Sequence, residues 1–192
     1  MLQNEFLIKR IDFLNFDVVQ LKGLALMIEE YESVLKESDF GTISGWDILG
    51  TSNSHLFGVK NIPEDYAPRL EDMIYPTVNC LGYFNQIVSE FTKFGFLLSR
   101  ARVLKLGPQS GLPFHSDYLQ DNQFSKTRIH IPLLTNSDAY FEWDIDGKII
   151  RRHLPADGSA YFVNVSHRHR VVNENPHDSR LHFVSNFYFN NN

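Results

Sequence analysis

Residues 139–154 read AYFEWDIDGKIIRRHL, and this stretch decides the fold class. Two short runs rich in aromatic and β-branched residues, Ala139–Ile145 and Lys148–Leu154, are separated by Asp146-Gly147. Both central positions of a type I′ turn need positive φ, so this pair reads as a two-residue β-hairpin. Working outward, similar runs occur upstream at Ser99–Leu106 and Arg128–Leu134, and downstream at Ser159–Val165, Arg170–Asn173 and Arg180–Phe189. Asp157-Gly158 marks another turn. Many short strands at close spacing predict a β-barrel or a two-sheet sandwich of the jelly-roll type.

Before residue 98 the pattern is different. Within Asn15–Lys36, Val18, Val19, Leu21, Leu24, Leu26, Met27 and Tyr31 recur at helical spacing, with Asp17 placed to favour the helix N-terminus. A second helical region is expected from about Pro63 to Phe94, opened by Pro63-Glu64-Asp65 and interrupted at Pro76. Gly41–Gly58, rich in Gly, Ser, Thr and Asn, reads as loop with a short strand at His55–Val59. The expected architecture is an all-β core with flanking helices (α+β), the N-terminal helices packed on one face. A chain of 192 residues suits a single domain, with about 1–97 as mainly helical support and about 98–190 as the β core.

Composition narrows the class of partners. Hydrophobic residues make up 43% and aromatics 14%, enough to fill a globular interior and to argue against disorder. The formal charge of -5 offers no positive field for a phosphate backbone, so no nucleic-acid partner is expected. No run approaches the roughly 20 apolar residues of a membrane helix, and the N-terminus lacks a secretory pattern, so a soluble, cytoplasmic protein is expected. The lone Cys80 has no disulfide or zinc partner and reads as a small buried hydrophobe.

Chemistry first shows at His115-Ser116-Asp117. On an extended segment, residues i and i+2 project to the same side, so an imidazole and a carboxylate can converge on one ion. A bare His-x-Asp is more often a surface hydrogen-bonded pair, and a metal site needs another ligand. Ser166-His167-Arg168-His169, at the end of a strand, supplies two candidates. Two His and one carboxylate on one face of an octahedron, with open positions opposite, suit Fe(II) activating O2. Arg180, on the next strand, is a fork able to take the far carboxylate of a dicarboxylic cosubstrate; the alternative is an ion pair with Asp178.

Four segments then resemble one family. Arg102-Val-Leu-Lys-Leu-Gly-Pro-Gln-Ser-Gly-Leu-Pro-Phe-His115-Ser-Asp117 is similar to its strand, Pro/Gly turn and Pro-x-His-x-Asp. Thr127-Arg128-Ile-His130-Ile-Pro-Leu133 resembles its Arg-x-His-Ile-Pro-Leu strand. Asn164-Val-Ser-His-Arg-His169-Arg-Val-Val-Asn173 and Arg180-Leu-His182-Phe-Val resemble the two segments that follow. Together, and in this order, they resemble the aspartyl/asparaginyl β-hydroxylase family over about Arg102 to Asn186.

The resemblance implies a double-stranded β-helix (jelly-roll, cupin-like), bound Fe(II), 2-oxoglutarate as cosubstrate and O2 as oxidant. It makes His115, Asp117 and His169 the metal ligands, Arg180 the partner of the distal carboxylate, and Arg128 and His130 further cosubstrate contacts. Family spacing from Asn164 selects His169 over His167. The family's best-known protein hydroxylase lacks the carboxylate ligand; Asp117 places this chain nearer the branch with a complete triad, which includes bacterial proline hydroxylases. The implied reaction is hydroxylation of an unactivated C–H of an amino acid, free or within a peptide or protein. Tyr118, Trp143, the polar Gly41–Ser54 loop and Arg102 (or Arg100) are candidates for touching substrate, with aromatic packing the alternative for Tyr118 and Trp143. His182 is either a support of the site or a packed core residue; His153 and His177 read as surface residues. The rival class is a cupin-like metal-binding barrel with a different or lost activity; such sites usually draw on three or four His with a Glu.

Overall fold

The Asp146-Gly147 pair turns as its sequence requires. Asp146 has φ 52° and Gly147 φ 79°, and Asp144 Oδ1 accepts a hydrogen bond from Gly147 N at 3.0 Å. The structure is a computed structural model that describes residues 6–30, 36–38, 41–50, 74–77, 80, 82–117 and 127–189. In chain order these form β1 (Ile8–Asn15), α1 (Val18–Glu30), β2 (Lys36–Ser38), β3 (Gly41–Asp47), β4 (Leu49–Gly50), β5 (Tyr75–Pro76) and α2 (Tyr83–Lys93). The second half follows with β6 (Phe96–Leu106), β7 (Ser110–Gly111), β8 (Thr127–Leu134), β9 (Ala139–Ile145), β10 (Lys148–Arg152), β11 (Ser159–Asn164), β12 (His169–Asn173) and β13 (Arg180–Phe189). Each of the seven strands expected from alternation is present, β9 and β13 at the expected bounds.

A seven-stranded sheet runs β1-β11-β8-β13-β6-β3-β2, a four-stranded sheet runs β10-β9-β12-β7, and β4 pairs with β5. Every pairing is antiparallel. The two larger sheets face each other as the double-stranded β-helix. Strand alternation gives the seven-stranded sheet two unlike faces. Ile129, Ile131 and Leu133 of β8 and Phe183 of β13 join a buried cluster with Leu21 and Leu24 of α1 and Phe84, Ile87 and Phe91 of α2. Each such side chain contributes about 1.5–3 kcal/mol on burial. The intervening residues point into the barrel, where Val163 and Leu106 meet Phe141, Trp143 and Val171, and the His130 ring lies edge-on to Phe141 at 5.1 Å.

The helices cover the apolar face, as expected. Asp17 starts α1: its Oδ1 accepts hydrogen bonds from Val19 N at 2.8 Å and Gln20 N at 3.1 Å. These backbone donors, Gln20 first, hold its carboxyl below the ordinary range. In α2 the buried residues Phe84, Ile87 and Phe91 fall three and four apart, one stripe of the helix.

The N-terminal half is not only helical. β1 pairs with β11 at the edge of the large sheet, yet it buries only Ile11 and Leu14, three residues apart, and so hides the two-residue alternation of a strand. β3, read as loop, adds to β6 from Ile43↔Leu106 to Asp47↔Arg102. Pairing with a waiting strand edge overrides the weak intrinsic preference of its Gly and Ser residues. Pro76 lies in extended β5, whereas His55–Val59 and Pro63-Glu64-Asp65 lie outside the described residues. Cys80 is buried, and burial pushes its thiol up. No described helix is long and apolar enough to cross a membrane.

Candidate active site

The site begins as a piece of β-ladder. From β7 the chain runs antiparallel to β12: Leu112 N donates to Val171 O at 2.9 Å, and His115 and His169 exchange both backbone hydrogen bonds, at 2.9 and 2.7 Å. A Cβ at Gly111 would come within 2.9 Å of Val171 O, so this approach of backbones needs glycine there. Gly111 pairs with Val172 and His115 with His169, four steps on one segment against three on the other. This one-residue bulge contains Pro113, which has no N–H to lose from the ladder.

The close pair of backbones brings the two imidazoles to 4.5 Å between ring centroids. Each ring is oriented in the same way. His115 Nδ1 lies 2.8 Å from Pro113 O, and His169 Nδ1 lies 2.9 Å from His167 O. A carbonyl only accepts, so the proton sits on Nδ1 and the Nε2 lone pair of each ring is left bare for a metal. Burial, the largest influence, lowers the His169 pKa and favours its neutral form. Asp117, fixed by its own N–H to Val165 O at 3.0 Å, brings Oδ1 to 3.8 Å from His115 Nε2. Ligand atoms of His115, Asp117 and His169 all lie within 4.8 Å of one another. His167 is exposed and contributes its carbonyl instead of its ring.

This donor set fits a first-row divalent metal. Two bare imidazole nitrogens and one carboxylate occupy one patch, and Asp117 Oδ2 is a buried acceptor without a hydrogen bond. Arg128 Nη2 approaches that oxygen at 3.0 Å, close enough for charge pairing but out of line for a hydrogen bond.

Deeper in the barrel, β13 carries Arg180 and His182 on one face. Arg180 is 3% exposed, and burial lowers its pKa to about 9. Its Nη2 donates to His182 Nδ1 at 2.8 Å, and its guanidinium lies 5.2 Å from the centroid of the Phe141 ring. Among the described residues no carboxylate lies within ion-pair distance of it. Asp178 does not pair with it; its backbone carbonyl accepts from Asn173 Nδ2 at 2.8 Å. A buried cation without a counter-ion is costly, and a dicarboxylate would supply the missing charge. His130 and His182 flank the same space with ring centroids 5.8 Å apart. Burial, followed by the charge of Arg180, holds both well below the usual histidine pKa. His130 Nδ1 and His182 Nε2 are buried without hydrogen-bond partners.

The remaining candidates fall in different places. Trp143 sits opposite His169 in the ladder. It is fully buried, stacks on Phe141 at 5.5 Å and donates its indole N–H to Asn164 O at 2.8 Å, so it packs as core. Arg102 lies on the barrel face of β6 with Nε 3.3 Å from Asp47 Oδ1, and burial, then the charge of Arg100, lowers its pKa to about 10. Tyr118 lies outside the described residues. His153 and His177 are exposed. Sequence reasoning placed the Gly41–Ser54 segment at the pocket without singling out its Asp47, and it missed Asn186, which keeps the parity of Arg180 and His182 and was findable from that alternation. A cavity of about 400 Å³ runs along β7 and β12, lined by residues such as Gln109, Arg170 and Glu174, and includes none of His115, Asp117 and His169.

No protein-family model matches the sequence, and no curated protein does. Solved structures do match. A Burkholderia pseudomallei oxidoreductase of the 2OG-Fe(II) oxygenase family is 15% identical, with TM-score 0.61 over 92% of this chain and 82% of that one. A Pseudomonas putida prolyl-4-hydroxylase is 13% identical, with TM-score 0.52 over 96% and 93%. HygX from Streptomyces hygroscopicus, solved with nickel and 2-oxoglutarate bound, is 10% identical, with TM-score 0.53 over 90% and 79%. At these identities the likeness establishes the fold: this chain has the double-stranded β-helix architecture found in 2-oxoglutarate oxygenases.

Proposed function

We propose that this chain is an Fe(II)- and 2-oxoglutarate-dependent dioxygenase that hydroxylates an unactivated C–H of an amino acid, free or within a peptide or protein. The observation that carries the reading is the pairing of two sites in one barrel: the His115, Asp117 and His169 cluster, and buried Arg180 with no carboxylate partner among the described residues. The neighbours whose names include 2-oxoglutarate, iron or prolyl hydroxylation support it. The four ordered sequence segments favour the aspartyl/asparaginyl β-hydroxylase branch with a complete triad.

Iron bound with 2-oxoglutarate supplies O2 activation, coupled to conversion of the cosubstrate to succinate and CO2. The chain's own residues prepare for it. Pro113 O and His167 O fix the imidazole tautomers, so no proton need leave the ligating nitrogens. Arg180 receives the distal carboxylate of 2-oxoglutarate in a site walled by Phe141, where the low dielectric strengthens the charge pairing. Neutral His130 and His182 offer hydrogen bonds there without adding positive charge. Arg128 holds Asp117 in place by charge. Trp143, cross-strand from His169, stacks with Phe141 in the apolar interior of the barrel.

Oxygen consumption and succinate release with Fe(II), 2-oxoglutarate and a panel of free amino acids and short peptides test the reading. Succinate formation that requires both iron and 2-oxoglutarate is expected, stimulated by the true substrate. Metal binding with no 2-oxoglutarate turnover under any condition would favour the cupin-like alternative.

A further inference from the structure

The outer face of the four-stranded sheet carries a row of side chains that runs alongside the metal ligands. On the barrel side, Trp143, His169 and His115 stand in one cross-strand row. Neighbours in an extended chain point to opposite faces, so Phe114, Arg168 and Arg170 project outward where His115 and His169 project inward. There both guanidiniums lie against one ring. Arg170 Cζ is 4.6 Å and Arg168 Cζ 5.0 Å from the Phe114 centroid, within cation–π range.

The two arginines are themselves tied down. Arg170 Nε donates to Glu142 Oε2 at 2.6 Å, and Arg151 donates to Glu142 Oε1 through Nε at 3.0 Å and Nη2 at 2.7 Å. Glu142 is 2% exposed, and arginine takes both of its oxygens. Arg168 Nη1 donates to Asp144 Oδ2 at 2.7 Å. Both carboxylates belong to β9, the strand beside β12. Charge-assisted bonds to a buried carboxylate fix the direction of a guanidinium, whereas an exposed pair leaves it freer. The Phe114 ring is therefore held through arginine to the middle of the sheet.

His115 needs such a hold. β7 ends at Gly111, Pro113 offers no N–H to the ladder, and His115 meets β12 through a single isolated bridge. Its side chain is 35% exposed, while His169 is buried within the sheet. We propose that Phe114, clasped by Arg168 and Arg170, is a positioning residue that holds His115 against β12 and so sets the spacing of the two imidazoles for metal. This rests on the metal centre of the oxygenase reading and adds to it a determinant on the opposite face of the sheet.

Zinc affinity, read by competition with a chelating dye, and the Nδ1–H resonance of His115 test the clasp in the full chain. Phe114→Leu keeps apolar bulk and removes the ring. It is expected to weaken zinc binding about tenfold, the low end of the loss typical of an outer partner of a metal ligand, and to broaden the His115 Nδ1–H signal while that of His169 stays sharp. Phe114→Tyr restores the ring and should restore both readouts. Arg168→Met changes a side chain that is 58% exposed and decides the matter if Phe114→Leu does not fold. It should weaken zinc binding about threefold, the scale of one exposed cation–π contact. Wild-type zinc affinity in Phe114→Leu or in Arg168→Met, or equal losses in Phe114→Leu and Phe114→Tyr, would overturn the clasp alone. A wild-type chain that binds no zinc would overturn the metal centre, and the clasp with it.

Discussion

The two faces of the seven-stranded sheet are made by alternate residues of the same strands and do opposite things. Toward the helices, Ile129, Ile131, Leu133, Val103, Ala101, Leu181 and Phe183 form dry core. Toward the barrel, Arg128, His130, Arg102, Arg180 and His182 form a crowded set of cationic and neutral polar groups, and all but Arg180 keep a buried polar atom without a hydrogen-bond partner. The first face supplies stability, and the second spends some of it on a site ready for anions and metal. Replacing residues on each face should therefore separate stability from binding.

The largest effect is expected on the dry face. Phe183 is fully buried, and Phe183→Ala should lower unfolding free energy by about 3–5 kcal/mol in chemical denaturation; a loss under about 1 kcal/mol would mean that this face is not the core described. Across the sheet, Arg180→Met should leave stability unchanged or raise it, because it removes a buried charge that has no carboxylate partner among the described residues. The same change should weaken 2-oxoglutarate binding by about 2–5 kcal/mol in a calorimetric titration. A strongly destabilised Arg180→Met with intact cosubstrate affinity would reverse the assignment of the two faces.

Acid should act through the barrel face. His130 and His182 have folded-state pKa values well below the ordinary 6.5, first because of burial and then because of Arg180. The unfolded chain therefore takes up protons first as pH falls below about 6.5. Stability is steady above that point and declines from there toward the folded pKa values, by at most about 1.4 kcal/mol per pH unit for each histidine. His182→Gln should reduce this slope, read from denaturation midpoints between neutral and mildly acid pH; an unchanged slope would exclude His182 as a source. The smallest effect lies outside both faces. Gly147→Ala places a side chain on φ 79° and should cost about 1 kcal/mol, with metal and cosubstrate binding untouched.

Much of this was legible in the sequence because one-sided burial writes itself as alternation. The strands from Phe96 onward follow it, and the Asp146-Gly147 turn is fixed by local backbone chemistry. β1 and β3 were not legible because their pairing, not their composition, makes them strands: one sits at an edge with two buried residues, the other completes the β6 ladder. His115 and Asp117 were readable from parity, whereas parity treats His167 and His169 alike. Strand β12 decides between them by beginning at His169, which leaves His167 in the exposed turn before it. Arg100 lies where β6 takes three steps against two of β13, a bulge created jointly by the two strands that no spacing within one strand encodes.

Anaerobic Fe(II) titration of the wild-type chain against Asp117→Ala, with succinate formation followed on the same samples, addresses the metal assignment directly. The wild type should bind iron and turn over 2-oxoglutarate. Asp117→Ala should lose iron affinity by more than the roughly 10–100-fold typical of removing an outer hydrogen-bonding partner, and lose succinate production with it. Unchanged iron affinity together with unchanged succinate production would contradict a metal centre built from His115, Asp117 and His169.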